Sequence, residues 1–176
     1  MGCVAPSAQS AVPVASPEVP QPATAPAARA KTSECISENG LPDHDCTPGS
    51  VDSRVGADNV RSTICISGYT RTVRPPESVT FRIKQAQIQA YGLQGRPLSE
   101  FELDHLIPLE LGGAPDDVAN LWPEPWTGLW NARQKDAVEN FLHRQVCNGA
   151  MSLSQAQTAI ASNWIAVFQQ NNLRQG

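Results

Sequence analysis

The stretch that decides the fold is FELDHLIPLELGG, residues 101–113. It begins as a short run with alternating apolar residues, a pattern typical of a β-strand. It ends at Gly112-Gly113, which is a turn signal. A second and shorter apolar run, NLWP at residues 120–123, is bounded by proline. Together the two runs predict a small β-hairpin that leads into a helix beginning near Asn131.

Three helices are predicted around this hairpin, because apolar residues recur every three or four positions in three segments. The first runs from Ser78 to Gly92, where the glycine supplies a stop. The second covers residues 131–146. The third opens at Ser152, which forms a capping-box pattern with Gln155.

Two further segments precede the helices. Residues 36–60 are rich in Gly, Pro, Asp and Ser and are predicted to be irregular. Residues 63–73 are rich in β-branched residues and are predicted to be an extended strand or hairpin arm. The resulting fold class is α+β: a compact, mainly helical domain around a hairpin-helix unit.

The N-terminal segment differs from the rest in composition. The first 30 residues contain nine Ala and six Pro and only two charged residues. Such a segment buries too little apolar area to offset the entropy of ordering it. Residues 1–33 are therefore predicted to be a disordered linker, and residues 34–172 a single domain.

Charge and hydropathy exclude several classes of protein. The chain has 176 residues, and its 13 Lys+Arg against 17 Asp+Glu leave a net charge of −4. No stretch approaches the ~20 apolar residues that a membrane-spanning helix needs, so no transmembrane segment is predicted. The acidic balance argues against a surface coated with basic residues, but it is compatible with one local basic patch.

Cys3 follows a small residue at the head of the Ala/Pro-rich segment. This arrangement resembles the start of a mature bacterial lipoprotein, in which the cysteine carries lipid and the linker holds the domain away from the membrane. Cys3 is therefore a lipidation candidate, and the alternative is that it has no role.

The other four cysteines are even in number, and none forms a C-x-x-C pair of zinc-binding spacing. They are Cys35, Cys46, Cys65 and Cys147. We predict two disulfides in an exported protein, at the cell envelope or outside the cell, with all three pairings open. The alternative is buried free thiols in a cytosolic protein.

Asp104 and His105 are the first candidates for a functional site. Adjacent residues on a strand point to opposite faces, so a carboxylate and an imidazole emerge from one spot without competing for one partner. A carboxylate suits a hard divalent cation, and a neutral imidazole can take a proton from water. Such a pair can catalyse hydrolysis of a phosphodiester. Asn131 has suitable chemistry for a second metal ligand, and the alternative is that it is a plain helix N-cap.

The chain carries, in order, an Asp-His pair, a Gly-Gly pair, an Asn-Leu pair and a final Asn. These are Asp104-His105, Gly112-Gly113, Asn120-Leu121 and Asn131. This ordered set resembles the HNH endonuclease motif, a ββα-metal finger. A looser resemblance to small exported bacterial HNH-like proteins covers most of residues 41–166.

The resemblance implies a role for each member of the set. Asp104 would be a metal ligand and His105 the general base. Asn120 would bond the loop backbone and fix the orientation of His105, and Asn131 would be the second protein ligand to one divalent ion. Many members have His at that last position. Because an amide oxygen favours a hard ion, Mg²⁺ is expected ahead of Mn²⁺, Ni²⁺ or Zn²⁺.

Four charged residues near this site are interpreted from their positions alone. Arg133 and Lys135 are predicted to hold phosphate, with a solvated helix face as the alternative. Glu102 and Glu110 are interpreted as solvated. His143 is interpreted as structural or exposed.

The function implied is that of a metal-dependent endonuclease acting on nucleic acid, DNA ahead of RNA, with little sequence specificity. A monomer is expected, in a bacterium and outside the cytoplasm. The alternative is a catalytically inactive relative that acts as a binding or structural module at the cell envelope.

Overall fold

The computed structural model describes Met1 and residues 31–174, so Cys3 and most of the predicted linker lie outside the described residues. Within residues 31–174 the chain folds into four helices and one two-stranded sheet, which confirms the α+β class. The helices are α1 (Tyr69–Val73), α2 (Glu77–Ala90), α3 (Ala132–Cys147) and α4 (Leu153–Gln170), and the strands are β1 (Phe101–His105) and β2 (Leu121–Pro125).

The hairpin is antiparallel, with Asp104 opposite Trp122 and His105 opposite Leu121. Its long connection contains two 3-10 turns, at Leu109–Leu111 and Val118–Asn120. Gly113 is required where this connection folds back, because an added Cβ would lie 1.7 Å from the carbonyl oxygen of Ile107. The Gly-Gly signal in the sequence therefore marks a close approach of two backbone segments as well as a turn.

The main core lies between α3 and α4. Val138 and Leu142 on α3 and Ile160 and Trp164 on α4 are each at most 1% exposed. Burial of each such side chain stabilises the fold by about 1.5–3 kcal/mol. Ser152 begins α4 with both hydrogen bonds of a capping box, as the sequence predicts.

α2 packs against the hairpin and is attached to it through polar side chains. The Gln87 amide donates to the carbonyl oxygens of Val118 and Leu121 at 2.9 and 2.5 Å. The Lys84 ammonium donates to the carbonyl oxygen of Phe101 at 2.7 Å. The hairpin is thus held by α2 as well as by α3, which follows it in the chain.

The predicted strand at residues 63–73 is wrong. The segment forms turns followed by α1, which begins after Gly68 with a φ of +83°. β-branched residues favour a strand only where a partner strand can pair with it, and tertiary contacts override the preference elsewhere. Here Ile64 is instead buried against the core at 2% exposure, and Cys65 is covalently bonded to α3.

Two disulfides are present in residues 31–174, as predicted, and the structure supplies their pairing. Cys35 is bonded to Cys46, and Cys65 is bonded to Cys147. Such bonds persist in oxidising compartments, so they are compatible with an exported protein. None of the helices in the described part of the chain combines the length and apolarity needed to cross a bilayer.

Candidate functional site

His105 ends β1 and is only 7% exposed. Its Nε2 lies 2.9 Å from the carbonyl oxygen of Pro115. Because a carbonyl oxygen only accepts, Nε2 carries the hydrogen and Nδ1 is left as a proton acceptor. Burial lowers the pKa of His105 below its ordinary value, although the bond to Pro115 partly opposes this. The imidazole is therefore neutral at neutral pH and has one nitrogen available to take a proton.

Asn120 is fully buried and cross-links the connection between the strands. Its Oδ1 accepts from the Ile107 amide at 2.9 Å, and its Nδ2 donates to the carbonyl oxygens of Ile107 and Ala114 at 2.9 and 3.0 Å. The segment that it ties down leads directly to Pro115, whose carbonyl holds the His105 ring. This placement agrees with the one that the HNH resemblance implies, and its effect on activity stays a prediction.

Asp104 meets a lysine from α3. The ammonium of Lys135 lies 2.6 Å from Asp104 Oδ2. It also donates to Glu139 Oε1 at 2.5 Å and to the carbonyl oxygen of His105 at 2.8 Å. Although burial alone would lower it, the pKa of Lys135 is raised by these carboxylates, so the group stays charged.

The phosphate-holding role predicted for Lys135 does not fit this placement. Its side chain is 1% exposed, donates hydrogen bonds to Glu139 and the His105 carbonyl, and is ion-paired with Asp104. Arg133, two residues earlier on α3, is exposed and remains a candidate for phosphate binding.

Two glutamates lie near Asp104 on the same hairpin. Glu102 and Glu124 lie opposite each other in the register of β1 and β2. Glu124 is 1% exposed, and neither carboxylate oxygen has a hydrogen-bond partner. Burial, with the charge of Asp104, raises the pKa of Glu124 well above its ordinary value and raises that of Glu102 to about 7. Glu102 is half-buried and lines the open cleft, so it is only partly solvated. Glu124 was missed, although its cross-strand position was a usable signal.

Asn131 is the N-cap of α3, which was the alternative considered for it. Its Oδ1 accepts from the Arg133 amide at 3.2 Å, and its Nδ2 donates to the Gly128 carbonyl at 3.1 Å. The Gln134 side chain accepts from the Asn131 backbone amide at 3.0 Å and completes a capping box. Within residues 31–174, every side-chain hydrogen bond of Asn131 is thus local, and the side chain that meets Asp104 is Lys135.

An open cleft of about 630 Å³ runs along β1 and the first turns of α2. Its wall includes a histidine, an acid, two cations and two partly exposed aromatic rings. These are His105, Glu102, Arg74, Lys84, Phe81 and Trp126. Such a surface offers cations for phosphate and rings on which bases can stack.

A second cluster lies at the other end of α3. Ligand atoms of Cys65, His143 and Cys147 all lie within 4.8 Å of one another, so this group could hold a metal ion. As a disulfide the two sulfurs carry no thiolate charge, and the cluster can bind an ion only when that bond is reduced. His143 and Cys147 are four residues apart on a helix, which was a usable signal, but nothing in the sequence brings Cys65 to them.

Comparisons of the chain with models of protein families, with characterised proteins and with solved structures give no match. The HNH resemblance therefore depends on the ordered residues themselves. The site has to be interpreted from its own geometry and charge.

Proposed function

We propose that the protein is a metal-dependent endonuclease that hydrolyses phosphodiester bonds in nucleic acid, DNA ahead of RNA. The observation that carries the proposal is the state of His105. It is a neutral imidazole with Nε2 fixed by the Pro115 carbonyl and Nδ1 available as a base. It stands at the wall of an open cleft and next to Asp104 in the chain.

In this mechanism, Nδ1 of His105 removes a proton from a water molecule as the water attacks phosphorus. The bond from phosphorus to the 3′ oxygen breaks, the leaving oxygen takes a proton from solvent water, and the resemblance implies a product with a 5′ phosphate. Arg74 on the cleft wall would contact phosphate oxygens, and Arg133 at the start of α3 stays a further candidate for this role. Asn120 keeps the connection around His105 in place.

Asp104 fits as the ligand of a hard divalent ion. Its side chain is 13% exposed, and Lys135 engages only one of its two oxygens. Mg²⁺ keeps several waters and is often held by one or two carboxylates together with substrate phosphates, so Asp104 needs few protein partners. A bound ion would stabilise negative charge on the phosphate and the leaving oxygen. Asn131 would join as second ligand by sharing the oxygen that now caps α3.

A plasmid-nicking assay tests the proposal, with Mg²⁺, Mn²⁺, Ni²⁺ or Zn²⁺ supplied in turn. The wild type is expected to nick the plasmid and to stop when the ion is chelated. His105→Ala should slow cleavage by at least about 100-fold, since it removes the general base. The matched control is His44→Ala, because His44 is exposed and lies outside the cleft. Equal rates for the two variants would exclude His105 as the base.

A second candidate function is a binding or structural module without catalysis. It is favoured by one observation: Asp104 is paired with Lys135 and Asn131 is used as a helix cap, so both proposed ligands already serve the fold. This candidate predicts a folded protein that leaves the plasmid intact with all four ions.

The two disulfides support an exported location, and we propose Cys3 as the site of lipid attachment. Mass spectrometry of the protein from its native membrane fraction checks this. A protein without added lipid mass would exclude the anchor. Elution of the unlipidated domain at a monomer's size would support the expected monomer.

A further inference from the structure

We infer that Cys65, His143 and Cys147, together with Glu110, form a zinc site that becomes available when the Cys65–Cys147 disulfide is reduced. The site lies at the C-terminal end of α3 and is independent of the proposed nuclease centre. It would bind the ion through two thiolates, one imidazole and one carboxylate.

Three of the four ligands already lie together. Ligand atoms of the two cysteines and His143 fall within 4.8 Å of one another. The Nε2 atom of His143 is 3.3 Å from Cys147 Sγ and 2.9 Å from the carbonyl oxygen of Ile64, and the hydrogen bond to Ile64 would be given up when this nitrogen binds the ion. Tetrahedral zinc with bonds of about 2.3 Å to sulfur and about 2.0 Å to nitrogen keeps its sulfur and nitrogen ligands roughly 3.5 Å apart, close to the observed separation of His143 and Cys147. The two sulfurs would have to move apart to roughly 3.8 Å after the S–S bond opens.

We assign the fourth position to Glu110, whose carboxylate would have to move closer, because it does not lie within 4.8 Å of all three ligand atoms. It lies in the 3-10 turn Leu109–Leu111 and lines a cavity of about 300 Å³ together with Cys65 and His143. Its Oε1 is buried and has no hydrogen-bond partner among the described residues. A buried carboxylate oxygen without a partner is unfavourable, and in native proteins it commonly marks a missing ion or water. The interpretation of Glu110 as solvated is thus wrong for this oxygen.

The chemistry of the four groups selects a borderline-soft ion. Two thiolates and an imidazole favour Zn²⁺ over Mg²⁺, and two sulfur ligands with His and a carboxylate form a closed tetrahedral set. The hard carboxylate oxygen at Asp104 has the opposite preference. The proposed site at the C-terminal end of α3 therefore favours a borderline-soft ion. Asp104, which lies beside the start of α3, favours a hard ion.

Reduction requires a two-electron donor, and we propose a dithiol. Its two sulfurs transfer two electrons and two protons, the Cys65–Cys147 bond breaks, and the dithiol becomes a disulfide. Binding of Zn²⁺ then displaces the two thiol protons to solvent. Cys65 and Cys147 are half-buried, whereas Cys35 and Cys46 are 4% and 3% exposed, so a reductant reaches the first pair more readily.

The test uses the full chain, once oxidised and once reduced with a phosphine that is then removed. Zn²⁺ is titrated in competition with a chromophoric chelator, and Co²⁺ serves as a spectroscopic probe of tetrahedral thiolate ligation. The reduced protein is expected to bind one equivalent and the oxidised protein none. Equal binding in the two states, or none in the reduced one, would overturn the site.

Variants assign the ligands. Cys65→Ser and His143→Ala should each abolish stoichiometric binding, and using both keeps the test valid if one fails to fold. Glu110→Gln should weaken binding by at least about tenfold. The matched control replaces Cys35 and Cys46 by Ser, which should leave one equivalent bound after reduction. Full binding by Cys65→Ser or by Glu110→Gln would overturn the assignment of that residue.

Discussion

The two ends of α3 are attached to the rest of the domain by opposite means. Near its start, a single buried ammonium, that of Lys135, bonds Asp104 and the backbone of β1. At its end, Cys147 is covalently bonded to the segment before α1. The first attachment depends on charge balance and therefore on pH, and the second depends on the redox state. The candidate nuclease centre lies at the end whose contacts can rearrange without breaking a covalent bond.

Both attachments lie on one row of α3. Lys135, Glu139, His143 and Cys147 follow one another at intervals of four residues. Residues four apart are neighbours on a helix surface, so this row forms one continuous polar face. The following predictions test each end of the row, beginning with the largest expected effect.

Replacing Lys135 with Met should have the largest effect on stability. It leaves the carboxylates of Asp104 and Glu139 buried without their cation, which costs about 3–5 kcal/mol in comparable buried pairs. Burial raises the pKa of Glu139 to about 8, and loss of the neighbouring ammonium would raise it further, so the loss of stability should be smaller at about pH 5 than at about pH 7. Urea unfolding at both pH values measures it. The control is Arg133→Met on the exposed face, expected to change stability by less than about 0.5 kcal/mol.

Opening the Cys65–Cys147 disulfide should come next. Replacing both cysteines by Ser releases a bond that spans 82 residues of chain, and loss of such a bond typically lowers the free energy of unfolding by about 2–4 kcal/mol. The Cys35–Cys46 bond spans only 11 residues, so its double Ser variant should lose less. A larger loss from the shorter bond would show that strain or packing, and not chain entropy, sets these contributions.

The local patterns predicted the elements that depend on local contacts. Alternation marked β1, the Ser152–Gln155 pair marked the start of α4, and the Gly-Gly pair marked the turn of the hairpin connection. The strand prediction for residues 63–73 was wrong because these residues have no partner strand in the described structure. A strand prediction from composition contains no information about pairing.

The positions of the site residues along the chain could be predicted from the sequence, but the direction in which their side chains point could not. His105 and Asn120 could be located from the spacing of the motif, because each depends on the hairpin connection in which it lies. The inward direction of Lys135 could not be predicted, since a lysine one turn into a helix is usually solvated. Which of several acids would meet it depends on how α3 sits on the hairpin, and that is set by contacts distant in sequence.

A smaller effect is expected at the cap of α3. Asn131→Ala removes the hydrogen bond to the Arg133 amide and should lower stability by about 1 kcal/mol. Asn131→Asp keeps an acceptor at the cap and should restore most of that loss. Thermal unfolding of the two variants measures this. A nicking rate that falls for Ala far more than stability explains, and recovers for Asp, would support the metal-ligand role.

The smallest effect is a pH dependence from Glu102. Its pKa is about 7 in the folded protein and near 4.5 otherwise, so the folded state holds more protons between these values. Stability should therefore fall as pH rises from 4.5 to about 7, and Glu102→Gln should remove that part of the slope. Since the side chain is half-exposed, we expect less than about 1 kcal/mol. A slope left unchanged in the variant would assign it to other groups.

The Cys35–Cys46 disulfide at the start of the domain determines which part of the domain receives tension applied through the preceding residues. Cys35 is bonded to Cys46, and its backbone amide donates to the Ala90 carbonyl at the end of α2. The same two cysteines pack against Tyr91 and Trp122 in a small second core. Tension applied through the preceding residues would reach this core directly and bypass the 36–45 loop. Because Trp122 belongs to β2, such a load would pass from this core to the hairpin that carries His105.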